Sequence, residues 1–149
     1  MTAKISLHDN THSLIAHLIK ENKFYEAYQM ILQKDAKEIV KILTQIATEK
    51  GIIAYTFVNF ILQRKETSFW HKIAAQVISH LQAPHHKIAA VYHLKKSIQL
   101  DPADWTAQEE LLKYYDEGLI SQEEAFRYAK HVLVHNPTHQ TGKKLIGIG

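Results

Sequence analysis

Acidic, basic and aromatic side chains crowd the stretch DWTAQEELLKYYDE, which contains Trp105, Glu109, Glu110, Lys113, Tyr114, Asp116 and Glu117. Carboxylates so close together can share a proton, hold a metal or attract a cation. Glu109 and Glu110 are sequence neighbours, as are Glu123 and Glu124, so on a helix each pair diverges by about 100° instead of converging on one atom. Acid/base work therefore fits them poorly. Recognition of a basic surface fits them better: clustered acids accelerate encounter with a basic partner, and Tyr114 or Trp105 can supply the buried anchor that binding surfaces concentrate on. For Trp105 alone, packing beneath the helix start is the simpler expectation.

The chain has 11 histidines and no cysteine. The pairs His8/His12 and His131/His135 have i, i+4 spacing, which puts both rings on one helical face, and His85 adjoins His86. Pro137 stops the row before His139 can extend it, no HExxH arrangement occurs, and no thiolate can complete a structural site, so no metal and no other cofactor is expected. A glycine-rich phosphate loop and a GxSxG elbow are both absent, and five glycines leave little backbone to cradle a nucleotide. A non-enzymatic protein is expected.

Net charge is +3 over 149 residues, and this average hides an asymmetry. Asp101, Asp104, Glu109, Glu110, Asp116, Glu117, Glu123 and Glu124 fall in a segment whose one base is Lys113. An acidic district thus sits on a basic body. Lys20, Lys23, Lys34, Lys37, Lys41 and Lys50 enrich the first third, but Glu21, Glu26, Asp35, Glu38 and Glu49 interrupt them. That breaks any continuous phosphate track and argues against nucleic acid as the partner.

These side chains must be positioned by helices, because apolar residues recur at helical spacing almost throughout and no segment alternates like a strand. The pattern predicts helices over about 11–21, 23–33, 36–50, 52–64, 68–82, 86–100, 104–116 and 122–135, with a short tail helix after Pro137. Asn10 or Thr11 can cap the first, Asp35 the third and Thr67 the fifth, while SQEE from Ser121 has the form of a capping box. The opening MTAKISLHDNTHS reads as a short leader and has no secretory signal pattern. The apolar run from Ile52 to Leu62 is far shorter than the roughly 20 residues a membrane span needs. A cytoplasmic, soluble, all-α chain forming one domain is expected.

Short connections favour antiparallel hairpins. At an offset of 35 residues, Ala90, Leu94, Ser97, Ile98 and Pro102 align with Ala125, Ala129, Val132, Leu133 and Pro137. A small residue early in a second helix and a proline twelve residues later resemble the tetratricopeptide repeat (TPR), and NKFYEAYQMIL from Asn22 resembles another such helix, with Phe24 and Ala27 at the aromatic and alanine positions. Ala74, Val77, Ile78 and Leu81 suit one first helix of the motif, and Gln108, Leu111, Leu112 and Tyr115 the next, although the usual Trp and small Gly are missing. The resemblance implies a right-handed α-solenoid of about eight or nine helices that binds a protein or peptide. If the repeat starts near Trp105, the family's groove positions fall on Glu109, Lys113 and Asp116; one step along they fall on Glu110, Tyr114 and Glu117. The acidic face and degenerate helices also faintly resemble bacterial toxin-immunity proteins. Together these imply a protein partner such as a basic toxin or enzyme, with an adaptor in a larger assembly as the alternative role.

Overall fold

The computed structural model describes the backbone of residues 3–81 and 85–147, with side chains from residue 11 onward outside residues 82–84. Helices α1 (Ala3–Lys20), α2 (Phe24–Ile31), α3 (Ala36–Lys50), α4 (Ile52–Arg64), α5 (Ser68–Ser79), α6 (His86–Leu100), α7 (Trp105–Leu112), α8 (Gln122–His135) and α9 (Gln140–Leu145) account for about three quarters of it, and no strand occurs among the described residues. The expected helix end at Gln82, with the start of the connection that follows it, and the His8 side chain lie outside the described residues.

Local chemistry sets most of these bounds. Asp35, Thr67 and Ser121 each accept a backbone N–H in the first turn of α3, α5 and α8, and Glu124 returns the bond to Ser121 to complete the capping box. Neither Asn10 nor Thr11 starts a helix, since α1 already begins at Ala3 and runs through both; the stretch read as a leader is largely helical. A polar residue able to cap can also sit inside a helix when the flanking residues continue it. The reversal between α3 and α4 takes one residue, Gly51, at φ 63°. That left-handed conformation is costly for any residue with a Cβ.

Helix α7 is shorter than the expected 104–116 span. Asp104 caps it as N-cap, and beyond Leu112 the chain tightens: Lys113, Tyr114 and Tyr115 each donate to the carbonyl three residues back. Leu119 N–H then reaches the Tyr114 carbonyl and Gly118 N–H the Tyr115 carbonyl, with Gly118 at φ 75°. This paired closure around a left-handed glycine ends the helical path. Lys113, Tyr114, Asp116 and Glu117 consequently lie on a tightened turn and not on a regular helix.

Two apolar cores meet at α5. Trp70, Ile73, Ala74 and Val77 face a core shared with α1–α4, whereas Ala75, Ile78 and Leu81 face one shared with α6–α8. From α3 onward each helix packs on the next in the chain, most extensively α5 on α6; α2 packs on α1 and α4, and α3 also packs on α1 and α5. Ser68 meets Ser97 while His71 meets His93, so numbering rises along α5 as it falls along α6 and the two run antiparallel. Alanines permit the close approaches: Ala27, Ala54, Ala74, Ala107, Ala125 and Ala129 are all fully buried.

Because one helix closes both cores, they should unfold together. Ile73→Ala and Ile78→Ala, on opposite sides of α5, should each cost about 2–5 kcal/mol and lower the midpoint of a single urea transition followed by circular dichroism. Two separated transitions would show that the cores are independent.

Candidate functional site

The acidic district is docked on basic residues of other helices. Lys72 of α5 bonds Asp104 at 3.1 Å, Lys87 of α6 bonds Glu117 at 2.6 Å, and Lys95 of α6 bonds Glu124 at 2.9 Å. Burial works to raise the Asp104 carboxyl, but bonds from Thr106 and Lys72 outweigh it and hold the group below its ordinary value. Glu124 is likewise lowered, chiefly by the Ser121 backbone N–H and then by Lys95. The charge asymmetry of the sequence is therefore partly spent inside the molecule. Asp101, Asp116 and Glu123 are exposed, with no ion pair recorded among the described residues.

The seven residues singled out from the sequence separate into two groups. Glu110 at the end of α7 gathers with Lys113, Tyr114 and Glu117 of the turn after it: Lys113 bonds both Glu110 oxygens at 3.0 and 3.1 Å, and the half-buried Tyr114 hydroxyl feels Glu110, Glu117, Lys113 and Lys87 together. Burial first, then the two glutamates, push that phenol above its ordinary value despite the opposing lysines. Asp116 is exposed on the same turn. Trp105 and Glu109 face α8 and α9 instead. The Trp105 ring stacks on His135 with centroids 5.7 Å apart and planes at 7°, and Glu109 reaches His139 at 3.2 Å. Trp105 is thus a packing contact, and Glu109 is half-buried. On the inner side Gln108, Leu111 and Leu112 are buried, and Gln108 donates to the Pro102 carbonyl at 3.2 Å.

A second cluster involves residues that the sequence pattern passed over. His71 and His93 are 3% and 2% exposed, and their Nδ1 atoms lie 2.9 Å apart. His71 Nε2 meets Glu66 Oε2 at 2.7 Å, and His93 Nε2 meets the Tyr55 hydroxyl at 2.7 Å. With both imidazoles neutral, every ring nitrogen is satisfied in one direction: Tyr55 donates to His93, His93 Nδ1–H to His71, and His71 Nε2–H to Glu66. One added proton can be absorbed by reversing the links, giving an ion pair of Glu66 with His71. Two cannot, because both Nδ1–H groups would then point at each other. The bond from His71 holds the Glu66 carboxyl below its ordinary value. A sequence signal was present: His93 and Ser97 share the otherwise apolar face of α6 that carries Ala90 and Leu94. Among the described residues no group of three His, Cys, Asp or Glu side chains could hold a metal ion, and His131 and His135 meet edge to face at 5.3 Å.

The histidine chain makes stability depend on pH. Burial, and secondarily His71, depress His93 from 6.5 to about 4, so the unfolded chain takes up a proton near pH 6.5 that the folded chain refuses until far lower pH. Stability should be full above pH 6.5 and decline towards pH 4, by on the order of 3 kcal/mol at most. His93→Leu should flatten that part of the slope in urea midpoints taken across the range, and an unchanged slope would assign it elsewhere. Compared with protein-family models, with curated proteins and with solved structures, the chain matches none, which leaves its own residues as the ground for a function.

Proposed function

We propose that this chain is a non-enzymatic protein-binding module, a TPR-like right-handed α-solenoid, that covers a basic surface of its partner with the turn following α7. The observation that carries this reading is the half-buried Tyr114 hydroxyl rimmed by Glu110 and Glu117, with Asp116 exposed next to them in the chain. A desolvated tyrosine inside a charged rim combines an anchor with electrostatic steering. Lys113 and Lys87 reduce the field of the rim in the free protein, and a basic partner would compete with them for the same carboxylates. Masking of a basic toxin or enzyme in the cytoplasm, by an immunity-type inhibitor needing no cofactor, is the role most in keeping with such a surface.

A second reading, that of an adaptor holding a peptide or helix in a groove, is favoured by a cleft of about 260 Å³ between α1 and α3. Its floor includes Ala16, Ile42 and Ile46, and Lys20 and Lys41 line its sides. Lys20 is held there by Glu49 at 2.8 Å. The bonds from Lys20 and then Gln45 keep the Glu49 carboxyl below its ordinary value.

Affinity capture from the native host at low and moderate salt separates the two. The triple variant Glu110→Lys, Asp116→Lys, Glu117→Lys should lose a basic partner that the wild type retains at low salt, and its association should slow by an order of magnitude or more. Undiminished capture by the triple variant would sink the acidic-surface reading. Loss on Lys41→Glu in its place would move the site to the α1–α3 cleft.

A further inference from the structure

The outward side of α8 carries a surface of the opposite character. Glu123, Phe126, Arg127, Lys130, His131 and Val134 line a shallow trough of about 620 Å³. Their spacing of three or four residues forms one continuous stripe over three helical turns, about 16 Å long. Val134 is 74% exposed, more than any other large apolar side chain described. Phe126 is half-buried within the same stripe. Phe126 and Val134 thus stand two turns apart along the trough, with Arg127, Lys130 and His131 between them.

The charges of the stripe say what fits it. Lys72, Lys87, Lys95 and Lys113 all pair with carboxylates of the acidic segment. Arg127 and Lys130 have no carboxylate partner recorded among the described residues; Arg127 lies 5.4 Å from the Tyr128 ring centroid. Glu123 sits in the first turn of α8, where a carboxylate favours the helix dipole, so the basic part is the middle of the stripe. An apolar–basic–apolar ridge on one helix is complementary to a second helix with apolar residues two turns apart and acids between them. Ridge-into-groove packing of two helices needs such a repeat, whereas an extended strand would place its side chains on a different period.

We propose that the α8 stripe is a docking surface for an acidic amphipathic helix of another protein. Phe126 and Val134 supply the apolar contacts, Arg127 and Lys130 pair with the acids, and Glu123 sets polarity by preferring a base at the partner's facing end. This surface is separate from the turn after α7, and its test does not depend on the reading given there.

The test uses a fluorescein-labelled synthetic helix with a Leu/Ala face flanked by Glu, and a counterpart flanked by Lys, titrated with the full chain and followed by anisotropy. The acidic helix should bind at least about tenfold more tightly than the basic one, Val134→Asp should weaken it by about tenfold, and Arg127→Glu with Lys130→Glu should reverse the preference. All three positions are exposed, so circular dichroism should be unchanged. Equal binding of the two helices, or indifference to Val134→Asp, overturns the proposal. So would two other results. Sedimentation showing self-association that Val134→Asp abolishes would make a second copy the occupant. Stripe-dependent binding to phosphatidylserine vesicles, without binding of the acidic helix, would make it a membrane surface.

Discussion

A helix with apolar residues on two sides has no direction in which to expose itself, and α5 is such a helix. Trp70, Ile73, Ala74 and Val77 bury against the N-terminal helices while Ala75 and Ile78, with Leu81 just past the helix end, bury against the C-terminal ones. Removing any of the larger of these from water contributes on the order of 1.5–3 kcal/mol. The gain is kept only if the polar groups that descend with α5 into the interior find partners. Ser68 finds Ser97, His71 finds both Glu66 and His93, and Lys72 finds Thr106 and Asp104. Those bonds also fix the register of α6 on α5, since a slip of one residue would break the Ser68–Ser97 and His71–His93 contacts together.

The same constraint explains where the charges went. A segment carrying eight acids against one base would repel itself if it folded alone. It folds against α5 and α6, whose lysines 72, 87 and 95 reach across to it. These bonds are partly exposed and individually worth little. Their collective effect is to occupy Asp104, Glu117 and Glu124, leaving Asp101, Asp116 and Glu123 exposed without a recorded ion pair among the described residues.

What remains on the surface is bipolar. One surface offers a tyrosine rimmed by acids; the outward stripe of α8 offers Phe126 and Val134 with Arg127 and Lys130. If both bind as proposed, surfaces of opposite charge would discriminate between partners, because a sequence attracted to one is repelled by the other.

The sequence by itself determined the elements. Helical periodicity, the caps at Asp35, Thr67 and Ser121, and the breaks at Gly51, Pro102, Gly118 and Pro137 are local signals, decided within a few residues by hydrogen bonds and backbone conformation. The helices α3, α4, α6 and α8 have the bounds read from that pattern. The start of α1 was not legible in this way, because Asn10 and Thr11 can cap or continue a helix equally well. The end of α7 depended on how the Tyr114 and Tyr115 carbonyls met Gly118 and Leu119. The acidic stretch was visible as a candidate site, but its division into a Tyr114 group and a Trp105 group was not, because it depends on Lys87, His135 and His139, which lie far away in the chain. The buried His71–His93 pair was hidden for the same reason. A histidine on an apolar face is read as isolated until the facing helix brings its partner, and only tertiary packing supplies the low-dielectric contact that couples charges distant in sequence.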